Sequence, residues 1–136
     1  MKNILVIDDN QNSRELIKYA LKNDNNIINE ADDGDMAMDI LLNSPPDLVI
    51  LDWLMPRLSG KSMILLTDDI FTQIDSLNHT NSKRIEVIVY SSTKMSELKL
   101  PKAKYFKYLC YVSKEWSISK QIERIRKISN TSVKAA

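Results

Sequence analysis

Val49-Ile50-Leu51-Asp52-Trp53-Leu54-Met55-Pro56-Arg57-Leu58-Ser59-Gly60 decides how the rest of the chain is read. The apolar run from Leu48 to Leu51 has the composition of a strand buried on both faces. It stops at an acid. Pro56 then forbids further strand pairing, and Gly60 punctuates the loop. An apolar strand that delivers a carboxylate to its own C-terminal end puts it where open α/β sheets keep their sites. Asp52 by itself would serve equally well as the cap of the next turn. The other strands decide between the two readings.

Upstream, Ile4 to Ile7 is a second apolar run, rich in β-branched residues and read as a central strand. It also ends in acids, Asp8 and Asp9. A helical face follows at Leu16, Ile17, Ala20 and Leu21, with Asn12 and Glu15 at capping-box spacing. Ile27 to Ala31 is a more polar strand, expected at a sheet edge. Asp33 is the expected N-cap of a helix from Asp35 to Leu42, which Ser44-Pro45-Pro46 stops.

Downstream, Lys61 to Leu77 is the longest helical pattern. Met63, Leu66, Ile70, Ile74 and Leu77 are expected to share its buried face. Asn78 to Lys83 reads as a polar loop, with His79 exposed and idle. Ile85 to Tyr90 is the fourth strand and leads into Ser91. Thr93 to Tyr108 has no clear period. Pro101 interrupts it and five lysines stud it, so a short helix around Lys94 to Leu98 is the most it allows. Leu109 to Val112 is the fifth strand, followed by Ser113 and Lys114. A last helix spans about Ser117 to Ser129, apolar at Ile118, Ile122, Ile125 and Ile128, and a frayed tail follows.

Strands alternate with helices five times, the pattern of a doubly wound parallel α/β sheet with helices on both faces. Right-handed crossovers bring all strand C-terminal ends to one edge. That edge collects Asp8, Asp9, Asp52, Ser91 and Lys114. Four strands each contributing a polar group to one rim outweighs the capping reading of Asp52.

Composition narrows the chemistry. The 136 residues fit one domain, and 43% hydrophobic content can fill its core. A net charge of +1 gives no bias toward nucleic acid. One cysteine, Cys110, and one histidine exclude an internal disulfide, multi-Cys zinc sites and HExxH chemistry. Cys110 is expected to be a buried, inert thiol. No apolar stretch has the length of a signal peptide or membrane span, so a cytoplasmic location is expected.

Three clustered carboxylates repel and raise one another's pKa, and a divalent cation relieves this. Oxygen ligands suit Mg2+, with Mn2+ as the alternative. A hard cation, a lysine and a hydroxyl together suit a phosphoryl group. With two glycines there is no Gly-rich cradle for a bound nucleotide, so the phosphoryl group is expected to go to a side chain of the protein.

The joint pattern Ile7-Asp8-Asp9, Leu51-Asp52-x-x-Met55-Pro56-x-x-Ser59-Gly60, Ser91 and Lys114 resembles the response-regulator receiver domain of two-component signalling. The resemblance runs from Ile4 to about Ile128, and a stand-alone regulator of the chemotaxis type is the nearest kind. It implies a flavodoxin-like sheet of order 2-1-3-4-5, with residues 1–130 as the receiver and 131–136 as a tail. It implies that Asp52 is the phosphoacceptor, that Asp9 binds Mg2+ directly with Asp8 assisting, and that the Leu54 carbonyl is a further ligand. Ser91 would be the switch hydroxyl, Lys114 the phosphate-pairing cation and Tyr111 the switch aromatic. The implied donor is a sensor histidine kinase or a histidine phosphotransfer protein. The implied output is a surface of helix 4, strand 5 and helix 5 that docks an unknown protein target or relays the phosphoryl group. Neither nucleic-acid binding nor membrane insertion is implied, nor an enzyme beyond its own phosphoryl transfer and dephosphorylation.

Three features depart from the family pattern. Glu115 follows Lys114 where proline, often cis, is usual. A non-proline cis bond costs about 2.5–4 kcal/mol, so a trans loop is expected. The third helix is longer by about two turns. The region of helix 4 carries Pro101 and many lysines. These departures motivate a pseudo-receiver, the same fold acting as a phosphorylation-independent interaction module, as the alternative. A Mg2+-dependent phospho-Asp phosphatase would want a second acid two residues after the nucleophile, and Leu54 stands there.

Overall fold

A computed structural model describes residues 2–23, 25–78 and 84–131. His79, most of the polar loop around it and the tail from 132 onward lie outside the described residues. The elements run β1 (Lys2–Ile7), α1 (Gln11–Leu21), β2 (Asn26–Ala31), α2 (Gly34–Asn43), β3 (Leu48–Leu51), α3 (Gly60–Asn78), β4 (Ile85–Ser91), β5 (Phe106–Ser113) and α4 (Ile118–Thr131). All five strands are parallel, in the order β2-β1-β3-β4-β5. The expected fold class and the edge position of the second strand are borne out.

The sheet separates two apolar layers. Leu5, Ile7, Val49, Leu51, Val87 and Val89 point to the side of α2 and α3. Ile4, Val6, Leu48, Ile50, Ile88 and Tyr90 point to the side of α1 and α4. Strict alternation along strands buried on both faces is the reason that these runs read as continuous hydrophobic blocks.

Several boundaries move. The α1 N-cap is Asn10, whose side chain accepts from the Ser13 N–H at 2.9 Å, so Asn12 lies inside the helix and the expected capping box does not form. Asp33 caps α2 as expected, accepting from the Met36 N–H at 2.8 Å. The α3 face is rotated from the expected one. Met63, Ile64, Thr67 and Phe71 are buried, whereas Leu66, Ile74 and Leu77 are exposed. Both faces of α3 carry apolar residues, so the spacing alone admitted either phase.

No α-helix joins β4 to β5. The crossover holds one 3-10 turn, Met95–Glu97, and Pro101 interrupts the segment beyond it. The expected output surface therefore lacks its helix 4, and α4 is the fourth α-helix among the described residues. The crossover is anchored by the Asp68 carboxylate, which accepts from the Tyr105 N–H at 2.8 Å. Tyr105 and Phe106 are buried and pack into the core, and the five lysines of the segment are exposed to solvent. β5 begins at Phe106, three residues earlier than expected. A register shift at Val87/Ile88 accommodates Leu109 as an extra residue and turns both Leu109 and Cys110 toward the α1–α4 side. Cys110 is half-buried rather than buried, and desolvation pushes its thiol up, which keeps it protonated.

Gly34, at the start of α2, leaves no room for a side chain. A Cβ there would stand 2.6–2.8 Å from three side-chain atoms of Leu58, including its Cβ. Gly34→Ala is expected to lower stability by about 1–3 kcal/mol, read as a lower urea midpoint with an unchanged m-value.

Candidate functional site

The register of the sheet builds the rim. Ile7 pairs with Leu51, and Leu51 with Val89. The next residues, Asp8, Asp52 and Tyr90, therefore stand at one level, the two acids just past their strand ends and Tyr90 still paired with Val112. Ser91 pairs with Ser113 one step further on, and the Lys114 N–H donates to the Ser91 carbonyl at 2.9 Å. The Asp52 N–H donates to the Ile7 carbonyl at 2.8 Å, which extends the ladder by one bond and brings two acids side by side.

Asp8 is fully buried and Asp52 is 4% exposed, while Asp9 faces solvent. Carboxylate oxygens of all three lie within 4.8 Å of one another. Lys114 Nζ stands 2.8 Å from Asp8 Oδ2 and 3.5 Å from Asp52 Oδ2. One lysine cannot balance three acids. Burial and the Asp8 charge push the Asp52 carboxyl up to about 7, against the pull of Lys114 and the Leu54 N–H. That N–H donates to Asp52 Oδ1 at 3.2 Å. Asp8 Oδ2 has its ion pair but no aligned hydrogen-bond donor. An all-oxygen cluster with an under-satisfied buried carboxylate fits a hard divalent cation.

The remaining expected residues gather on the same side. Ser91 is fully buried, and its Oγ accepts from the Thr93 N–H at 3.1 Å. Ser92 is exposed, so Ser91 is the residue on the rim. The Tyr111 hydroxyl donates to the carbonyls of Thr93 and Ser91, the latter at 3.3 Å, and its ring meets Trp116 edge-on at 6.2 Å. Trp53 is buried against Gly60. A Cβ on Gly60 would lie 3.0–3.1 Å from Trp53 and the Asp52 carbonyl, so a side chain there would press on the loop that carries Asp52. The Lys114–Glu115 bond is trans, as expected, because no peptide among the described residues is cis. The Glu115 side chain is exposed.

Three contributors have no sequence signal. Arg14 donates from Nη1 to the Asp8 carbonyl at 2.7 Å and from Nε to Glu30 at 3.1 Å, pinning the turn after β1. The Tyr90 ring lies 5.1 Å from Lys114 Nζ. Gln121, from α4, bonds to the Tyr90 hydroxyl and to the loop after β5. Each joins elements far apart in the chain, beyond the reach of any local pattern.

The response regulator receiver domain profile matches residues 4–126. Response regulator MprA of Mycobacterium sp. (strain KMS) is 42% identical over 57 residues, covering 42% of this chain and 25% of that protein. Response regulator ArlR of Staphylococcus epidermidis is 37% identical over 60 residues, covering 44% of this chain and 27% of that protein. The match thus spans about a quarter of the length of these relatives. Among solved structures, the Mn(2+)-bound form of response regulator Rcp1 superposes with a TM-score of 0.71 at 23% identity, covering 100% of each chain. The phosphorylated cyanobacterial phytochrome response regulator RcpA gives 0.70 at 22% identity, covering 99% of each. These two show the shared fold. No helix among the described residues is long and apolar enough to cross a membrane. A profile match that begins in β1, ends in α4 and takes in every acid of the rim leaves one conclusion: the chain belongs to the response regulator receiver domain family.

Proposed function

We propose that the chain is a phosphorylation-dependent switch in which Asp52 accepts a phosphoryl group from a phosphohistidine. The observation that carries this is the placement of Asp52, buried at a strand end between Asp8 and Lys114. In the reaction an Asp52 carboxylate oxygen attacks phosphorus. The P–N bond to the imidazole breaks, its electron pair stays on the ring nitrogen, and that nitrogen takes up a proton. The donor would be a sensor histidine kinase or a histidine phosphotransfer protein.

Mg2+, with Mn2+ as the alternative, would be held by Asp8, Asp9, Asp52 and the Leu54 carbonyl, and supplies positive charge to the phosphoryl oxygens. The Mn2+ named for Rcp1 supports this assignment. Lys114 pairs with a further phosphoryl oxygen. Ser91 keeps its hydroxyl proton to donate, because its Oγ is an acceptor toward Thr93. Tyr111 is tied to the Ser91 and Thr93 carbonyls, so a shift of that loop moves its ring. The responding surface is the crossover, β5 and α4, where an open groove of ≈ 650 Å³ lies between Tyr111, Trp116 and Lys120. Residues 1–130 act as the receiver unit, and the downstream target is a protein.

Intact-protein mass spectrometry with Mg2+ and a small phosphodonor, beside Asp52→Asn, tests the reading. A Mg2+-dependent phosphoryl adduct, absent from the variant, is the expected result. A second reading, the phosphorylation-independent interaction module, draws on the helix-free crossover and the trans loop after Lys114. It takes precedence if no adduct forms and calorimetry detects no Mg2+ binding.

A further inference from the structure

Gln121 sits one turn into α4 and is 4% exposed. Its side-chain amide makes three hydrogen bonds. Oε1 accepts from the Tyr90 hydroxyl at 2.5 Å, and Nε2 donates to the Trp116 carbonyl at 2.7 Å and to the Lys114 carbonyl at 3.2 Å. A primary amide is the one uncharged side-chain tip that offers an acceptor and two donors together. Its orientation is fixed, since a flip would set its oxygen against the Lys114 and Trp116 carbonyls.

These bonds hold the segment that delivers Lys114. The Lys114 N–H is tied to the Ser91 carbonyl at 2.9 Å, and its own carbonyl is tied to Gln121. Both ends of its peptide framework are thereby fixed, one from β4 and one from α4. The same amide fixes Tyr90, whose ring lies beneath the Lys114 ammonium. Where the family usually has proline after this lysine, Glu115 offers no ring to stiffen the loop.

We infer that Gln121 is a positioning residue for phosphoryl transfer, holding the Lys114 loop from α4 so that the ammonium stays on the acidic cluster. This rests on the reading of Asp52 as phosphoacceptor. Gln121 touches no reacting atom. It acts through Lys114, and its effect must vanish when the ammonium is gone.

The experiment is a double-mutant cycle on the full chain with Gln121→Met, Lys114→Met and the pair. The adduct rate with a small phosphodonor and the Mg2+ affinity by calorimetry are both measured on protein shown to be folded by circular dichroism. Gln121→Met should slow adduct formation about tenfold, because small misplacements of a charge-stabilising group are costly. It should also tighten Mg2+ binding, because Lys114 no longer competes fully for Asp8. In the Lys114→Met background neither quantity should change further. A Gln121 with a purely structural role would lower stability equally in both backgrounds and leave both quantities where they were, which overturns the inference. Equal additive losses in the two backgrounds overturn it too. If Gln121→Met does not fold, Gln121→Asn, which keeps an amide one methylene shorter, carries the same cycle. Wild-type protein that forms no adduct counts against the Asp52 reading alone. The Mg2+ readout then still decides whether Gln121 holds Lys114.

Discussion

Asp52→Asn is expected to abolish the phosphoryl adduct and at the same time to make the metal-free protein more stable at neutral pH. The loss follows from chemistry, because an amide cannot form the acyl phosphate. The gain follows from the cluster. Asp52 is buried beside Asp8, and its carboxyl is pushed up to about 7. The native state therefore retains a proton that the unfolded chain releases near pH 4. Between those values the native state binds more protons, so stability falls as pH rises from about 4 to 7. It is fully present below the lower value and lost through the upper one. The neutral amide removes this slope. We expect a gain of about 1–2 kcal/mol at pH 7.5 in urea titrations, less than for a sealed carboxylate because the pocket mouth is open to water. Mg2+ should stabilise the wild-type protein and do so far less for the variant. A variant less stable than wild type without metal would show that the acids do not strain the fold.

Lys114→Met gives the second large effect, and its two readouts move in opposite directions. The ammonium lies 2.8 Å from Asp8 and 3.5 Å from Asp52. It is the one cation ion-paired to the rim acids among the described residues. Its loss removes a preorganised charge from the phosphoryl oxygens, and the adduct rate should fall about 100-fold. Its loss also leaves three carboxylates with no cation, so Mg2+ should bind several-fold more tightly. A slower rate with weaker Mg2+ binding would mean that Lys114 orders the acids instead of pairing with phosphate. Methionine keeps the length of the chain beside Tyr90, so packing against that ring changes little.

The strands were legible because β1, β3 and β4 are buried on both faces, and unbroken runs such as Leu48–Leu51 have few other uses in a chain of this length. The acids were legible because a strand end is also a sheet edge once every crossover is right-handed. α3 was legible as a helix but not in its phase. Leu66, Ile74 and Leu77 satisfied the period as well as Met63, Ile64 and Phe71 did, and only contact with the sheet chose between them. The start of β5 was lost to its neighbours. Lys107 and Tyr108 break the apolar run, and pairing with β4 imposed strand geometry on them.

The sequence by itself determined the sheet class and the identity of the rim residues Asp8, Asp9, Asp52, Ser91 and Lys114. Short-range patterning specifies both, through apolar runs and the residues that end them. Tertiary structure decided what surrounds them. It left the β4–β5 crossover without a helix, placed Arg14 on the Asp8 carbonyl, and joined Tyr90 to Gln121 across 31 positions of chain. Those contacts arise only when separate elements pack. Their energies depend on desolvation and on partners that no local stretch of sequence contains.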